Sequence, residues 1–143
     1  DFDVDAVGSE FVLRFDRESF DSAPSSIATL PEEFSITAPS TQSSYSRSSD
    51  IDIEVTWGST SSDPMTIQLI GDCIGLYVGT EPVDTGTHVI SMAEIESEQM
   101  DNFSTCTAEL VIERRKAGSL DSAFGGGTVF GAQKRTIQLK LEP

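Results

Sequence analysis

Two cysteines constrain this chain most, because each sits in a stretch that alternates apolar and polar residues. In "MTIQLIGDC" the odd positions are Met65, Ile67, Leu69, Gly71 and Cys73, and the even ones include Thr66, Gln68 and Asp72. In "TCTAELVIER" Cys106, Ala108, Leu110 and Ile112 share one parity, and Thr105, Thr107, Glu109 and Glu113 the other. Side chains alternate across a strand, so both cysteines fall on apolar faces. Two inward cysteines on two strands are what a disulfide across a core requires. Closing a loop of this length would stabilise by about 3–4 kcal/mol in the chain-entropy model. Such a bond implies an oxidising compartment. Two buried free thiols are the other reading of the pattern. Two cysteines and one distant histidine do not make a four-ligand metal set, so no metal or other cofactor is expected.

The same period recurs along the chain. "EFVLRFD" (10–16) places Phe11, Leu13 and Phe15 on one face, and "IDIEVTW" (51–57) places Ile51, Ile53, Val55 and Trp57 inward. "FSIT" (34–37), "IGLYVG", "THVISM" and "RTIQLKL" read as further strands, the last with Ile137, Leu139 and Leu141 inward. "DSAPSSIATLPEE" (21–33) reads as a loop with two prolines, and "APSTQSSYSRSSD" (38–50) as a polar loop. "MAEIESEQM" reads as a short helical segment near 92–100. About eight strands spaced by turn signals predict an all-β fold, an antiparallel sandwich, with a barrel as the alternative. Residues 1–9 read as a flexible acidic leader and 10–143 as a single β-sandwich domain.

Formal net charge is −15, from 24 acids against 9 bases. That disfavours nucleic acid and anionic membrane as partners of the whole body, since phosphates need cations, and no nucleic acid is expected. No apolar run reaches the ~18–20 residues of a membrane span, so no insertion is expected. The chain begins "DFDVDAVG" without Met and shows no signal peptide, which reads as a processed or truncated product of an exported protein.

A Trp, two core cysteines and "DTGTHVI" before a cysteine strand resemble immunoglobulin-like domains of bacterial exported proteins, over residues 34–141. Two features depart from antibody-type domains: Trp57 precedes both cysteines, and Ser104 stands where a Tyr would precede Cys106. The resemblance implies an immunoglobulin-like architecture. "GSLDSAFGGGTV" (118–129) also looks like a short repeat of some bacterial surface proteins, but it occurs once.

Several stretches have the look of chemistry. Asp84-Thr85-Gly86, followed by Thr87, is how an aspartic peptidase presents its carboxylate, and a homodimer would supply the second one. Against this, Glu81 and Pro82 replace the apolar strand that should deliver that loop. A Pro- and Gly-containing turn, with Asp84 accepting local N–H bonds, explains the same residues. His88 is the only histidine, and no G-x-S-x-G frames a serine. It shares a face with Ile90 and Met92. Asp1, Asp3 and Asp5 have the opening spacing of a calcium loop, but Gly8 is two places late and Val12 replaces the closing Glu. Gly126 and Gly131 have the outer spacing of a phosphate loop without its Lys-Ser/Thr. Asn102-Phe103-Ser104 is a glycosylation sequon, meaningful only in a eukaryotic secretory source.

Six of the nine bases lie in the last strand pair. Arg114, Arg115, Lys116, Lys134 and Arg135 are predicted to gather near the hairpin end as a cationic patch, able to support weak self-association. Charge balance against Glu109 and Glu113 is the alternative. The functional expectation is a non-enzymatic, extracytoplasmic binding or structural module, its partner a protein or a glycan at the cell surface. Tyr45, Tyr77 and Phe130 are the loop aromatics that glycan binding would use.

Overall fold

A computed structural model describes residues 6–49, 51–97 and 105–143. It is all-β. The strands are β1 (Glu10–Phe15), β2 (Ala23–Thr29), β3 (Ser35–Ala38), β4 (Ser44–Ser46), β5 (Ile53–Gly58), β6 (Met65–Gly71), β7 (Ile74–Glu81), β8 (Thr87–Ile90), β9 (Cys106–Ala117) and β10 (Phe130–Glu142). A short helix α1 (Met92–Ser97) follows β8, and a 3-10 turn (Ser122–Phe124) lies between β9 and β10. Ten strands therefore replace the eight expected. The two extra ones come from segments read as loops, β2 with Pro24 near its start and β4 within a serine-rich run. The calcium-like aspartates Asp1, Asp3 and Asp5 and the Asn102 sequon lie outside the described residues.

The chain forms two compact units, Asp1–Glu33 with Arg114–Gln133, and Phe34–Glu113 with Lys134–Pro143. In the second unit a five-stranded sheet runs β4-β10-β9-β6-β7 and a three-stranded sheet β3-β5-β8. β4 pairs parallel to β10, with Leu141 opposite Tyr45, while β3, β5 and β8 pair antiparallel. One apolar cluster draws on both sheets: Ile53, Val55, Trp57 and Ile90 from one, Met65, Ile67, Leu69, Leu110, Ile112, Leu139 and Leu141 from the other. Each fully buried Ile or Leu contributes about 1.5–3 kcal/mol. The alternation placed these residues correctly, except Ile51, which precedes β5 and is 69% exposed.

Cys73 and Cys106 are disulfide-bonded, with Cα atoms 5.8 Å apart. The bond does not cross between sheets as expected. Cys73 lies in the turn between β6 and β7, Cys106 opens β9, and all three strands belong to one sheet. Among the described residues no helix is long and apolar enough to cross a membrane.

In the first unit β1 pairs antiparallel with β2, and Gly8 N–H and Leu30 N–H extend that ladder to Leu30 O and Ser9 O. The last residues of the expected leader are thus tied to the hairpin. Strand β2 meets the chain after β9 through reciprocal Ile27–Ser119 bonds of 2.8 and 2.9 Å. Gly118 and Gly131 lie against this strand. A Cβ at Gly118 would collide with the Ile27 carbonyl, and one at Gly131 with the Thr29 carbonyl, so only glycine fits. Asp121 accepts from Ala123 N–H at the start of the 3-10 turn and from Ser25 N–H and Oγ. The Ser25 hydroxyl bond is the main reason its carboxyl is held below the usual range. The repeat-like segment is thus local turn chemistry: Gly118 for close approach, Asp121 as cap and Gly125 with φ +70° ending the turn.

Candidate functional site

Two side chains were singled out as possible catalysts, and both belong to the second unit. Asp84 sits in the turn between β7 and β8 and is 5% exposed. Its Oδ1 accepts from the Trp57 indole Nε1–H at 2.7 Å and from Gly86 N–H at 3.0 Å, and its Oδ2 from Ser61 N–H at 3.2 Å. Gly86 adopts φ +82°, and its carbonyl accepts Trp57 N–H. The Asp-Thr-Gly sequence therefore makes a turn whose carboxylate fastens the indole of β5. A peptidase dyad needs a carboxylate that shares a proton with its twin and activates a water. Here both oxygens already accept N–H donors.

His88 projects from β8 toward β7. Its Nδ1 lies 2.7 Å from Glu81 Oε1 and its Nε2 2.9 Å from Tyr77 Oη. Period-two alternation puts Tyr77, Gly79 and Glu81 on one face of β7, and the imidazole occupies the space over Gly79. A Cβ there would strike the His88 ring. The Tyr77 hydroxyl also hydrogen-bonds the Glu94 carboxylate of α1. Carboxylate, imidazole and hydroxyl are ordered as in a nucleophile triad, yet the hydroxyl is a phenol. Burial first, then the Glu94 carboxylate, push Tyr77 up to about 12. A phenol so strongly protonated is a poor nucleophile at neutral pH. The cluster instead links β7, β8 and α1. Sequence reading missed it, although "YVGTE" carried a signal: a glycine between two polar residues of one parity leaves room for a ring.

Burial also raises Tyr45, the other of the two tyrosines. The folded protein should therefore show little phenolate absorbance near pH 10, where an unperturbed tyrosine titrates. The folded state holds these protons more tightly. Their stabilising contribution is complete below about pH 10 and is lost as pH rises above it, for Tyr77 toward about 12. Near-ultraviolet titration of folded and urea-unfolded protein checks this, and coincident curves would refute it.

The five bases of the expected cationic patch divide between the units, Arg114, Arg115 and Lys116 in the first and Lys134 and Arg135 in the second. Arg114 is fully buried, its Nη1 donating to the Glu32 and Glu33 carbonyls at 2.8 and 3.3 Å. It continues the inward parity of Leu110 and Ile112, a signal the sequence already held. The Arg115 guanidinium lies 4.7 Å from the Phe130 ring centre. Arg135 Nε donates to the Phe34 carbonyl at 3.0 Å, and its guanidinium lies 5.5 Å from the Phe34 ring. Lys134 is exposed and Lys116 half-buried. Of the aromatics considered for glycans, Tyr45 and Tyr77 lie in strands rather than loops, and both are half-buried. Phe130 opens β10 and is 45% exposed.

Among the described residues no group of three or more His, Cys, Asp or Glu is placed to hold a metal. A shallow groove of 620 Å³ opens on the outward face of the five-stranded sheet. It is lined by Ile70, Asp72 and Leu76 from the β6–β7 hairpin, with Thr107, Glu109 and Gln138 from β9 and β10. Compared with known proteins, the chain matches no family model, no curated protein and no solved structure.

Proposed function

We propose that this chain is a non-enzymatic binding or structural module of an extracytoplasmic, bacterial protein, built on an immunoglobulin-like β-sandwich. The observation that carries the reading is the use made of Asp84. The best chemical candidate in the sequence is buried and accepts three N–H donors from its own fold. The disulfide supports an oxidising compartment. Support for the sandwich comes from topology. Successive strands β3 and β4 join different sheets, and both sheets contribute to one apolar cluster, as the two sheets of a sandwich do. The in-sheet disulfide departs from the inter-sheet bond of antibody domains. The test is incubation with denatured casein between about pH 4 and 6, where paired carboxylates work. No cleavage is expected. Pepstatin-sensitive cleavage that vanishes in Asp84→Asn would overturn the reading in favour of a dimeric peptidase.

A further inference from the structure

Strand β7 ends the five-stranded sheet and pairs on one side only, with β6. Among the described residues its backbone makes no backbone hydrogen bond outside that ladder. Folded proteins guard such edges by keeping them short or by placing Lys or Pro on them. The other end strands of the second unit follow this rule: β4 has three residues, β3 and β8 four each. β7 has eight, "IGLYVGTE", with neither Lys nor Pro. Its outward side chains Leu76 and Val78 are 51% and 50% exposed, and Ile70 beside them on β6 is 48% exposed. The groove beside this strip adds the carboxylates Asp72 and Glu109 and no base. Between Arg47 and Arg114 the sequence holds thirteen acidic residues and no Lys or Arg.

We infer that β7 is a docking edge for an extended, basic peptide segment of a partner protein, which adds to the sheet as one further strand. The edge N–H and C=O groups supply the main-chain bonds. Leu76 and Val78, on the outward face of the edge strand itself, receive the peptide's apolar side chains, and the acidic charge of the region, Asp72 and Glu109 included, favours Lys or Arg at the intervening positions by longer-range attraction. The charge of this region favours a cationic partner over a second copy of a chain carrying −15. The inference deepens the binding-module reading and rests on it, but the two fail separately. Casein cleavage would sink the module. Failure of the peptide to bind, without cleavage, would sink only the docking edge.

The probe is a fluorescein-labelled peptide of about eight residues alternating Lys and Val, matched to the length of β7. Its binding is read by fluorescence anisotropy at low salt and in about 0.5 M salt. Saturable binding is expected, weakened about tenfold or more when alternate peptide amides are N-methylated, which blocks strand pairing without altering charge. Leu76→Thr/Val78→Thr should weaken it similarly. Asp72→Asn/Glu109→Gln should lower affinity about fivefold and flatten the salt dependence. All four positions are at the surface of the groove or strip, and far-ultraviolet dichroism verifies folding of each variant. No binding, equal binding of a Glu-Val peptide, or indifference to N-methylation would overturn the inference. So would a dimer in sedimentation that Leu76→Thr/Val78→Thr dissolves while no peptide binds, which assigns the edge to a second copy.

Discussion

Reducing the Cys73–Cys106 bond should lower folding stability by about 3–4 kcal/mol, the loop-closure entropy of a cross-link of this length. The two cysteines are 33 residues apart. Cys73 is buried in the β6–β7 turn, and after reduction the sheet ladder still ties the start of β9 to that hairpin. The cross-link acts chiefly on the unfolded state, where its stabilising effect originates. Urea unfolding with and without reductant measures the difference, and a Cys73→Ala/Cys106→Ala variant separates it from reagent effects. Coincident curves would mean that the bond contributes nothing. Thiol titration of the unfolded, unreduced protein should find no free cysteine.

Asp84→Ala is expected to cost about 2–4 kcal/mol. Removal of the carboxylate leaves the Trp57 indole N–H, a buried donor, without its 2.7 Å acceptor, and strips Ser61 N–H and Gly86 N–H of theirs. Unsatisfied buried donors cost about 1–3 kcal/mol each, and the two backbone groups, being partly exposed, regain water. Asp84→Asn keeps Oδ1 for Trp57 and Gly86 and sacrifices only the Ser61 bond, so it should cost about half as much. Urea denaturation followed by tryptophan fluorescence gives both values. Proton exchange at the Trp57 indole should accelerate in the alanine variant and much less in the asparagine one. Equal stability of wild type and Asp84→Ala would remove the structural role assigned to this residue.

The second unit was legible because its strands bury one face, and period-two patterning reports one-sided burial. Ile53, Val55 and Trp57 illustrate this, as do Ala108, Leu110 and Ile112. Cys73 reached its buried place by a different route. The register of β6 with β7 shifts between Leu69 and Gly71, so the odd-position count ended before the cysteine did. In the first unit β1 was legible as a strand but β2 was read as a loop, because this hairpin buries few large side chains. Leu13 and Phe15 share a parity but are 49% and 54% exposed, and β2, with Ile27 as its one large apolar residue, is otherwise Ala, Pro, Ser and Thr. Its hairpin is held instead by backbone bonds and by glycines whose missing side chains let strands approach. Neither leaves a hydropathy signal. Charge was misjudged at Arg114 for a related reason. Counting bases along the hairpin assumed exposure, whereas parity assigned this one to the interior, where carbonyls replace water as partners.

The division into two units has a spectroscopic corollary. The single tryptophan and both tyrosines, Trp57, Tyr45 and Tyr77, belong to the second unit, while the aromatic residues of the first among the described residues are phenylalanines. Intrinsic tryptophan and tyrosine fluorescence therefore observes the second unit, with the Asp84-bound indole as its reporter, and not the first. Far-ultraviolet dichroism observes strands in both. Whether the two signals move together during unfolding is a direct readout of cooperativity between the units, obtained without a label and without altering a residue.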